Sequence, residues 1–289
     1  MQRSPNKTVV RLITAVTLLM SLLGPLVTSP QVAFAAPSVN IDQCANVSDP
    51  TCEWVNGNLN ASKATYLEGD SVAYRMAITG LTIGQTYTAT IEWDTTKGGK
   101  HALDYLTTYN RTVSGADACE TLTCSGSPST YPIPVDPNVS GAGVTQVPGV
   151  FTLWGGGITG TSGYTITSGS YAADSSTSIT ITFTATSTSA VLAWGGHIAS
   201  RADWGANNSA VSISGSPFHM RNKSTCGPIS GDCNTSSQDR GLSTDAVIYP
   251  ASITIIKAAS PEGATSFAFT ASPAPLANFS LVDDGTATD

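Results

Sequence analysis

The sequence predicts an all-β protein: an antiparallel β-sandwich or jelly-roll domain followed by a shorter β segment. Apolar and polar residues alternate with a period of two along much of the chain, and no convincing amphipathic helix is present. Connections rich in Gly, Pro, Ser and Thr separate the alternating segments. One buried face and one wet face is typical of antiparallel sheets. We therefore expect residues 36–250 to form one sandwich domain.

The N-terminus has the pattern of a secretory signal peptide. Three basic residues precede an apolar run at 12–23, and Ala33 and Ala35 supply the small residues that a signal peptidase reads. The apolar run is shorter than the roughly 20 residues that a membrane-spanning helix needs. We expect residues 1–35 to be removed, with an uncleaved anchor as the alternative. The mature chain is then expected to be secreted, either released or held at the cell surface by an anchor beyond Asp289, with no membrane span of its own.

Composition agrees with a location outside the cell. The net charge is −7, and loss of the three basic residues at the N-terminus lowers it to −10. Because an acidic surface repels phosphate backbones and the chain has no basic cluster, no nucleic-acid partner is expected. Charged residues make up only 11% of the chain, which is typical of an extracellular β protein with Ser- and Thr-rich strand faces.

The cysteines predict disulfide bonds. An even number of cysteines in a secreted chain is typical of a disulfide framework, although six cysteines permit 15 pairings. The simplest pairing joins each cysteine to its neighbour in sequence. The alternative is a zinc site with thiolate ligands, but no histidine lies near Cys119 and Cys124, the pair whose spacing is closest to that of a zinc site. The three close pairs in the sequence are Cys44 with Cys52, Cys119 with Cys124, and Cys226 with Cys233.

The strands can be placed in order along the sandwich. The clearest alternation predicts strands at 72–78, 87–93 and 179–185, the second with Glu92 and Asp94 facing outward. Shorter strands are expected at 191–194, 211–213 and 247–249. The Gly-, Ser- and Thr-rich connections at 125–150 and 155–173 are expected to be long surface loops.

Three stretches in this domain are unusual enough to need an explanation. They read EWDTTK at 92–97 leading into KHALDY at 100–105, AWGGHI at 193–198, and SPFHMR at 216–221 with QDR at 238–240. Together they resemble a module of secreted bacterial proteins that stands ahead of prealbumin-like or Pro- and Thr-rich segments. The resemblance covers most of residues 54–250 and implies an architecture, with no activity attached to it.

Each of these stretches contains one of the three histidines of the chain. His101, His197 and His219 would form a zinc or copper site if the fold brought them together, with Asp104 or Asp203 orienting a ring from behind. No His-x-His or His-x-x-x-His spacing assembles the ligands locally. The alternative is that each ring is a hydrogen-bonding tie at a strand end.

Two further sets of residues have a structural and a functional interpretation. Arg221, Asp239 and Arg240 are expected to form an internal arginine–carboxylate tie, with an anion-binding pocket as the alternative. Five aromatic residues in loops and at strand ends are expected to be exposed, where they would stack on sugars in a carbohydrate-binding module or else simply cover the core. These are Trp54, Tyr66, Tyr109, Tyr131 and Tyr164.

The last segment, residues 251–289, carries the second resemblance. Strands are expected at 252–257, 265–270 and 279–281, and this order resembles the opening of the prealbumin-like domains of bacterial surface proteins, the collagen-adhesin B-type repeats. The resemblance implies that Lys257 corresponds to the lysine that forms an isopeptide bond. The partner asparagine would lie beyond Asp289, and Glu262 lies in a turn, so Lys257 is expected to snorkel from a strand edge instead.

Signatures of enzymes are missing from the sequence. It has no Gly-x-Ser-x-Gly elbow, no His-Glu-x-x-His, no Cys-x-x-Cys and no phosphate-binding Gly-rich loop with a lysine. We expect a structural or adhesive protein of the bacterial cell exterior without catalytic activity or a required cofactor. Its partner is expected to be a cell-envelope component, an extracellular-matrix component or a glycan. The alternatives are a carbohydrate-binding module and a three-histidine metal-binding protein.

Overall fold

The computed structural model describes residues 36–47, 51–215, 217–228, 232–236, 238–249, 254–272 and 277–283. The expected signal peptide at 1–35 lies outside the described residues, as do the first two residues of the strand expected at 252–257. The described part of the chain is all-β, as the alternation predicted, and most of its strands belong to two antiparallel sheets.

The first sheet has seven strands, and its order is β2-β1-β4-β13-β9-β8 with β7 also paired to β13. With strands numbered along the chain, its members are β1 (Ser38–Ala45), β2 (Glu53–Val55), β4 (Ser71–Thr79), β7 (Leu103–Thr107), β8 (Ser129–Pro132), β9 (Val150–Trp154) and β13 (Ser189–Ile198).

The second sheet has eight strands in the order β10-β12-β5-β14-β15, with β11 paired to β12, β16 to β14 and β6 to β5. Its members are β5 (Thr86–Lys97), β6 (Lys100–His101), β10 (Gly156–Thr161), β11 (Thr165–Gly169), β12 (Ser175–Ala185), β14 (Phe218–Cys226), β15 (Cys233–Asn234) and β16 (Asp239–Leu242).

Short elements complete the fold. A small parallel pair joins β3 (Tyr66–Leu67) to β17 (Val247–Ile248), and an antiparallel pair joins β18 (Gly263–Phe269) to β19 (Phe279–Asp283). Two short α-helices, α1 (Pro137–Gly141) and α2 (Arg201–Trp204), and two 3-10 turns at Ala210–Ser212 and Thr244–Ala246 lie between strands. None of the helices among the described residues is long and apolar enough to cross a membrane.

The inner faces of the two sheets form one hydrophobic core. Tyr74 of β4 stacks on Trp194 of β13 in the first sheet, with ring centroids 6.0 Å apart. Tyr87 of β5 stacks on Phe183 of β12 in the second sheet at 5.8 Å. These rings belong to the same buried cluster, which also contains the fully buried Trp93. The large aromatic side chains therefore hold the sandwich together through apolar burial.

The strands with the clearest alternation fold as the sequence predicted. In β5 the inner residues Tyr87, Ala89, Ile91 and Trp93 are at most 2% exposed, and the corresponding positions of β12 are at most 1% exposed. One part of that prediction is wrong: Glu92 and Asp94, expected to face solvent, are only 8% and 3% exposed. Their face of the sheet is covered by Arg221 and Lys223 of β14.

Two local predictions are also wrong. Residues 211–213 form no strand, because Ala210 and Ile213 are buried three positions apart and the chain makes a 3-10 turn there. The expected loops at 125–150 and 155–173 contain β8, α1, β10 and β11. Strand pairing uses backbone groups, so Ser-, Thr- and Gly-rich segments pair at a sheet edge without an apolar pattern.

Three disulfides link the cysteines locally, which confirms the disulfide prediction. The pairs are Cys44–Cys52, Cys119–Cys124 and Cys226–Cys233, and the described residues include no free cysteine. Cys44–Cys52 joins the end of β1 to the segment before β2, whereas Cys226–Cys233 joins β14 to β15. Each bond closes a short loop, for which chain-entropy arithmetic gives roughly 2–2.5 kcal/mol.

The C-terminal segment contains two of its three expected strands. The strands at 265–270 and 279–281 correspond to β18 and β19, which pair through Phe269 and Phe279. The strand expected at 252–257 is not formed in its described residues, where Ile255 is 44% and Ile256 is 79% exposed. An alternating strand would bury one of these two neighbours, so the expected burial pattern is not present.

Gly155, directly after β9, offers a test of how closely the neighbouring strand β13 approaches the chain. Its φ is +75°, and an added Cβ would lie 2.1 Å from the carbonyl oxygen of Ser189. We expect Gly155→Ala to lower the free energy of unfolding by about 2 kcal/mol or more in urea denaturation. Gly157→Ala is the matched control, since nothing lies within 4 Å of its Cβ position and its φ is not positive. Equal stability of the two variants would contradict the close approach of β13 to Gly155.

Candidate functional site

His197 lies on β13 and is held by a buried carboxylate of β7. Its Nδ1 is 2.7 Å from Oδ1 of Asp104, which is fully buried. The other oxygen of Asp104 accepts a hydrogen bond from Nε1 of Trp204 at 2.8 Å, and the Tyr105 ring stacks on the imidazole at 4.1 Å. Asp104 is thus one of the two orienting carboxylates considered from the sequence. Asp203, the other, instead accepts a hydrogen bond from Ser200 at the start of α2.

His101 contacts Trp204, the residue that donates to Asp104, through the face of its imidazole ring. The imidazole stacks on Trp204 with centroids 3.3 Å apart, and Tyr171 meets it edge-on at 5.2 Å. Its Nδ1 is buried without a hydrogen-bond partner among the described residues. Burial lowers the pKa of His101 to about 4, although Asp104 acts in the opposite direction. The ring is therefore neutral at physiological pH.

His219 belongs to a different set of residues on the second sheet. Oδ2 of Asp94 lies 3.0 Å from Nδ1 of His219 and also accepts its backbone N–H at 3.0 Å. Asp94 further pairs with Arg221 at 2.8 Å and Lys97 at 3.0 Å. A single carboxylate of β5 thus fixes the start of β14.

The described residues do not bring the three histidines together in a metal site. Within these ranges there is no group of three or more His, Cys, Asp or Glu side chains arranged to hold a metal ion. The physical reason is that each ring has its own partner: Asp104 for His197, Trp204 for His101 and Asp94 for His219. The alternative, a hydrogen-bonding tie at a strand end, fits His197 and His219, whereas His101 is held by ring contacts with Trp204 and Tyr171.

Glu92 and Asp94 form the centre of an ionic cluster on the outer face of β5. Glu92 pairs with Arg221 at 3.2 Å, contacts Lys223 closely and accepts a hydrogen bond from Thr167 at 2.6 Å. Burial is the largest single influence on both carboxyl groups and opposes their ionisation, but the surrounding donors and cations together outweigh it. The pKa of each therefore lies below its usual range, far below for Asp94.

The expected arginine–carboxylate tie is only part of this cluster. Arg221 does approach Asp239 of the neighbouring β16, but at 3.7 Å, farther than its contacts with Asp94 and Glu92. Among the described residues, Arg240 forms no ion pair with a carboxylate. It donates to the carbonyl oxygen of Ile41, the backbone oxygen of Asp239 at 2.7 Å and the Gln238 amide oxygen at 2.7 Å. Two separate arginine ties therefore join β16 to its surroundings.

The five aromatic residues considered for sugar stacking do not form one platform. Tyr66 is fully buried and donates to the carbonyl oxygen of Cys44, so it is not an exposed ring as expected. Trp54 donates to Asp117, Tyr164 donates to Pro134 and meets Trp93 edge-on, and Tyr109 meets Trp154 edge-on. Tyr131 lies in β8, opposite Phe151. Tyr66 thus belongs to the core, and Trp54, Tyr109 and Tyr164 pack against it.

Sequence reasoning missed Ser71 and Trp204. Ser71 lies directly opposite His197 in the pairing of β4 with β13, and its Oγ is buried without a partner among the described residues. A serine beside a His–Asp pair has the composition of a nucleophilic site. However, Ser71 is 0% and His197 3% exposed, so a substrate cannot reach them in this conformation. Only the strand register, which links positions more than 120 residues apart, reveals this neighbourhood.

Comparison with known proteins adds no family: no family model, no curated protein and no solved structure matches the chain. Function must therefore be inferred from the geometry of the described residues.

The buried neutral ring of His101 predicts a pH dependence of stability. Its pKa is about 4 in the folded state and about 6.5 when unfolded, so the unfolded chain binds the extra proton between these values. This contribution to stability is present above pH 6.5 and is lost as the pH falls towards 4. We expect urea denaturation to show about 1–3 kcal/mol of this loss between pH 7 and pH 4.5. His101→Phe, which keeps an aromatic ring against Trp204, should show a smaller loss; an unchanged pH profile would contradict the prediction.

The ionic cluster predicts unequal effects of two carboxylates that contact Arg221. Asp94→Asn should lower the free energy of unfolding at pH 7 by about 3 kcal/mol, because Arg221 and its neighbours keep a buried charge without its partner. Since the pKa of Asp94 is depressed, this stabilisation is present above about pH 4 and lost below it, so the variant should also show a shallower acid transition. Asp239→Asn is the control: that side chain is 39% exposed and should cost less than 1 kcal/mol. Similar losses of unfolding free energy in Asp94→Asn and Asp239→Asn would refute the prediction that Asp94 contributes more to stability than Asp239.

Proposed function

We propose that the chain is a secreted structural or adhesive module of the cell exterior, without catalytic activity. The three disulfides support a location in an oxidising compartment, because such bonds persist outside the cytosol. The sequence pattern of the first 35 residues supports export through a signal peptide.

The observation that carries the proposal is the use of reactive side chains as internal ties. Asp104 is occupied by His197 and Trp204, and Asp94 by His219, Arg221 and Lys97. A general acid or base has to reach the proton that it transfers, within hydrogen-bond distance of a substrate. Groups that bind strands to one another support a load-bearing or adhesive role instead.

We further propose that the chain is a bacterial surface protein and that residues 251–289 are the beginning of a prealbumin-like domain. The β18–β19 pair is compatible with the opening of such a domain. Lys257, the residue that corresponds to the isopeptide lysine, has its Nζ 3.9 Å from the centroid of the Phe267 ring. That cation–π contact supports the expectation that this lysine packs against the segment instead of forming a cross-link.

Two measurements on the purified mature chain test the proposal. We expect saturable retention on an array of glycans, cell-envelope polymers and matrix proteins, and no turnover of glycoside, ester or peptide substrates. Reduced and alkylated protein is the control for folding, and the untreated protein should show no free thiol when denatured. Turnover that His197→Ala abolishes, or stoichiometric zinc or copper that His197→Ala removes, would overturn the proposal. So would a chain that binds no surface component at all.

A further inference from the structure

A cleft outside the histidine sites contains an arginine with an incomplete set of partners. The cleft has a volume of about 430 Å³ and lies between the turn after β3, the start of α2 and the residue that follows β17. Its lining residues are Glu68, Gly69, Ser200, Arg201, Ala202 and Tyr249. A volume of this size is within the range of small-molecule sites.

Glu68 fixes one wall of the cleft. Its side chain is 2% exposed, and its two oxygens accept the backbone N–H groups of Arg201 at 3.2 Å and Val211 at 3.0 Å. The carboxylate is therefore already satisfied by backbone donors and holds α2 against β3. It stabilises the position of Arg201 without occupying the end of its guanidinium group.

Arg201 is the residue with unused donors. Its Nε lies 3.7 Å from Oε2 of Glu68, an ion-pair distance beyond hydrogen-bond range, and is buried without a hydrogen-bond partner among the described residues. Among the described residues its side-chain nitrogens make no hydrogen bond. The other arginines in the described ranges, at 75, 111, 221 and 240, all donate from the side chain to protein oxygens. A guanidinium group presents its donors in a planar fork that matches a carboxylate.

An aromatic ring lies against this arginine, and two exposed apolar residues adjoin the lining residues Glu68 and Tyr249 in sequence. The guanidinium carbon lies 4.0 Å from the centroid of the Tyr249 ring, which is 49% exposed. Leu67 and Ile248, paired neighbours in β3 and β17, are 38% and 44% exposed. Rings with an apolar body and a polar tip suit ligands that have both characters. The cleft thus offers a fork of donors next to a partly apolar surface.

We propose that this cleft binds the carboxylated sugar of an acidic polysaccharide, a hexuronic acid, with the carboxylate on Arg201 and the sugar ring against Tyr249. This inference rests on the adhesive function proposed above and names its ligand class. Gly69 has no side chain and leaves room for the sugar beside Ser200, whose own hydroxyl is bonded to Asp203. The two-residue strands β3 and β17 are too short to template an added peptide strand. Because the chain is net acidic, it repels polyanions at long range, so binding would depend on this local contact.

Isothermal titration of the mature chain with a trigalacturonate tests the proposal. The free acid should bind, whereas its methyl ester and a neutral hexose trimer should bind at least tenfold more weakly. Arg201→Gln should lower the affinity for the free acid by at least tenfold. Tyr249→Ala provides a second variant at an exposed position, with the same expected direction. Arg111→Gln is the matched control, because that arginine lies outside the cleft and should leave the affinity unchanged.

The outcomes separate this inference from the proposed function. No binding of the acid, or equal binding of acid, ester and neutral sugar, would overturn the uronate site even if the chain still adheres to other surfaces. A short peptide that binds through its C-terminal carboxylate more tightly than the trigalacturonate, and loses this binding in Arg201→Gln, would refute the sugar ligand in favour of a peptide ligand. A chain that adheres to no glycan or matrix component would refute the proposed function itself.

Discussion

Burial of the inner face of β5 is the constraint on which the rest of the structure depends. This strand lies between β12 and β14, and its large inner side chains fill the space between the sheets. Because side chains alternate along a strand, placing Trp93 in the core forces Glu92 and Asp94 to the opposite face. A slip of one residue in register would move both carboxylates into the apolar core, at a cost far above the stability of a domain. The location of the ionic cluster is therefore a consequence of core packing.

The outer carboxylates then determine how β14 is attached. In a chain with only 11% charged residues, a partly buried carboxylate needs cations and N–H donors placed by the fold. The pairing of β5 with β14 supplies them by placing Arg221 opposite Glu92 and next to Asp94. On the first sheet Asp104 has the same role for β13, with His197 and Trp204 as its donors. The two sheets thus use the same device, one buried acid with several donors, to fix strands that are distant in sequence.

Sequence was sufficient for features that local pattern determines. The period of two in β5 and β12 predicted both the fold class and the buried residues, and the close spacing of cysteines predicted local disulfides. Asp104 was among the acids considered for the histidines, but its choice over Asp203 depends on the tertiary position of β7. The pairing of Asp94 with His219 joins residues 125 positions apart, and no local pattern encodes it. Edge strands such as β11 were not predicted from the sequence, because backbone pairing requires no alternation of apolar residues.

Two arginines that stack on aromatic rings differ in how many of their N–H donors are hydrogen-bonded by the protein. Arg75 lies 4.6 Å from the ring centroid of Trp54, and Arg201 lies 4.0 Å from that of Tyr249. Arg75 also donates to Asp42 at 2.9 Å and to the carbonyl oxygen of Ala118 at 3.2 Å, so its fork is filled by the protein. Arg201 has the ring and an ion pair with Glu68 at 3.7 Å, but its side chain has no hydrogen-bond acceptor among the described residues. A guanidinium group taken partly out of water needs acceptors for its donors, and a buried donor without one carries a desolvation cost. Since the described protein groups do not provide these acceptors, water or a ligand oxygen has to do so, and a carboxylate is the acceptor whose geometry matches the fork.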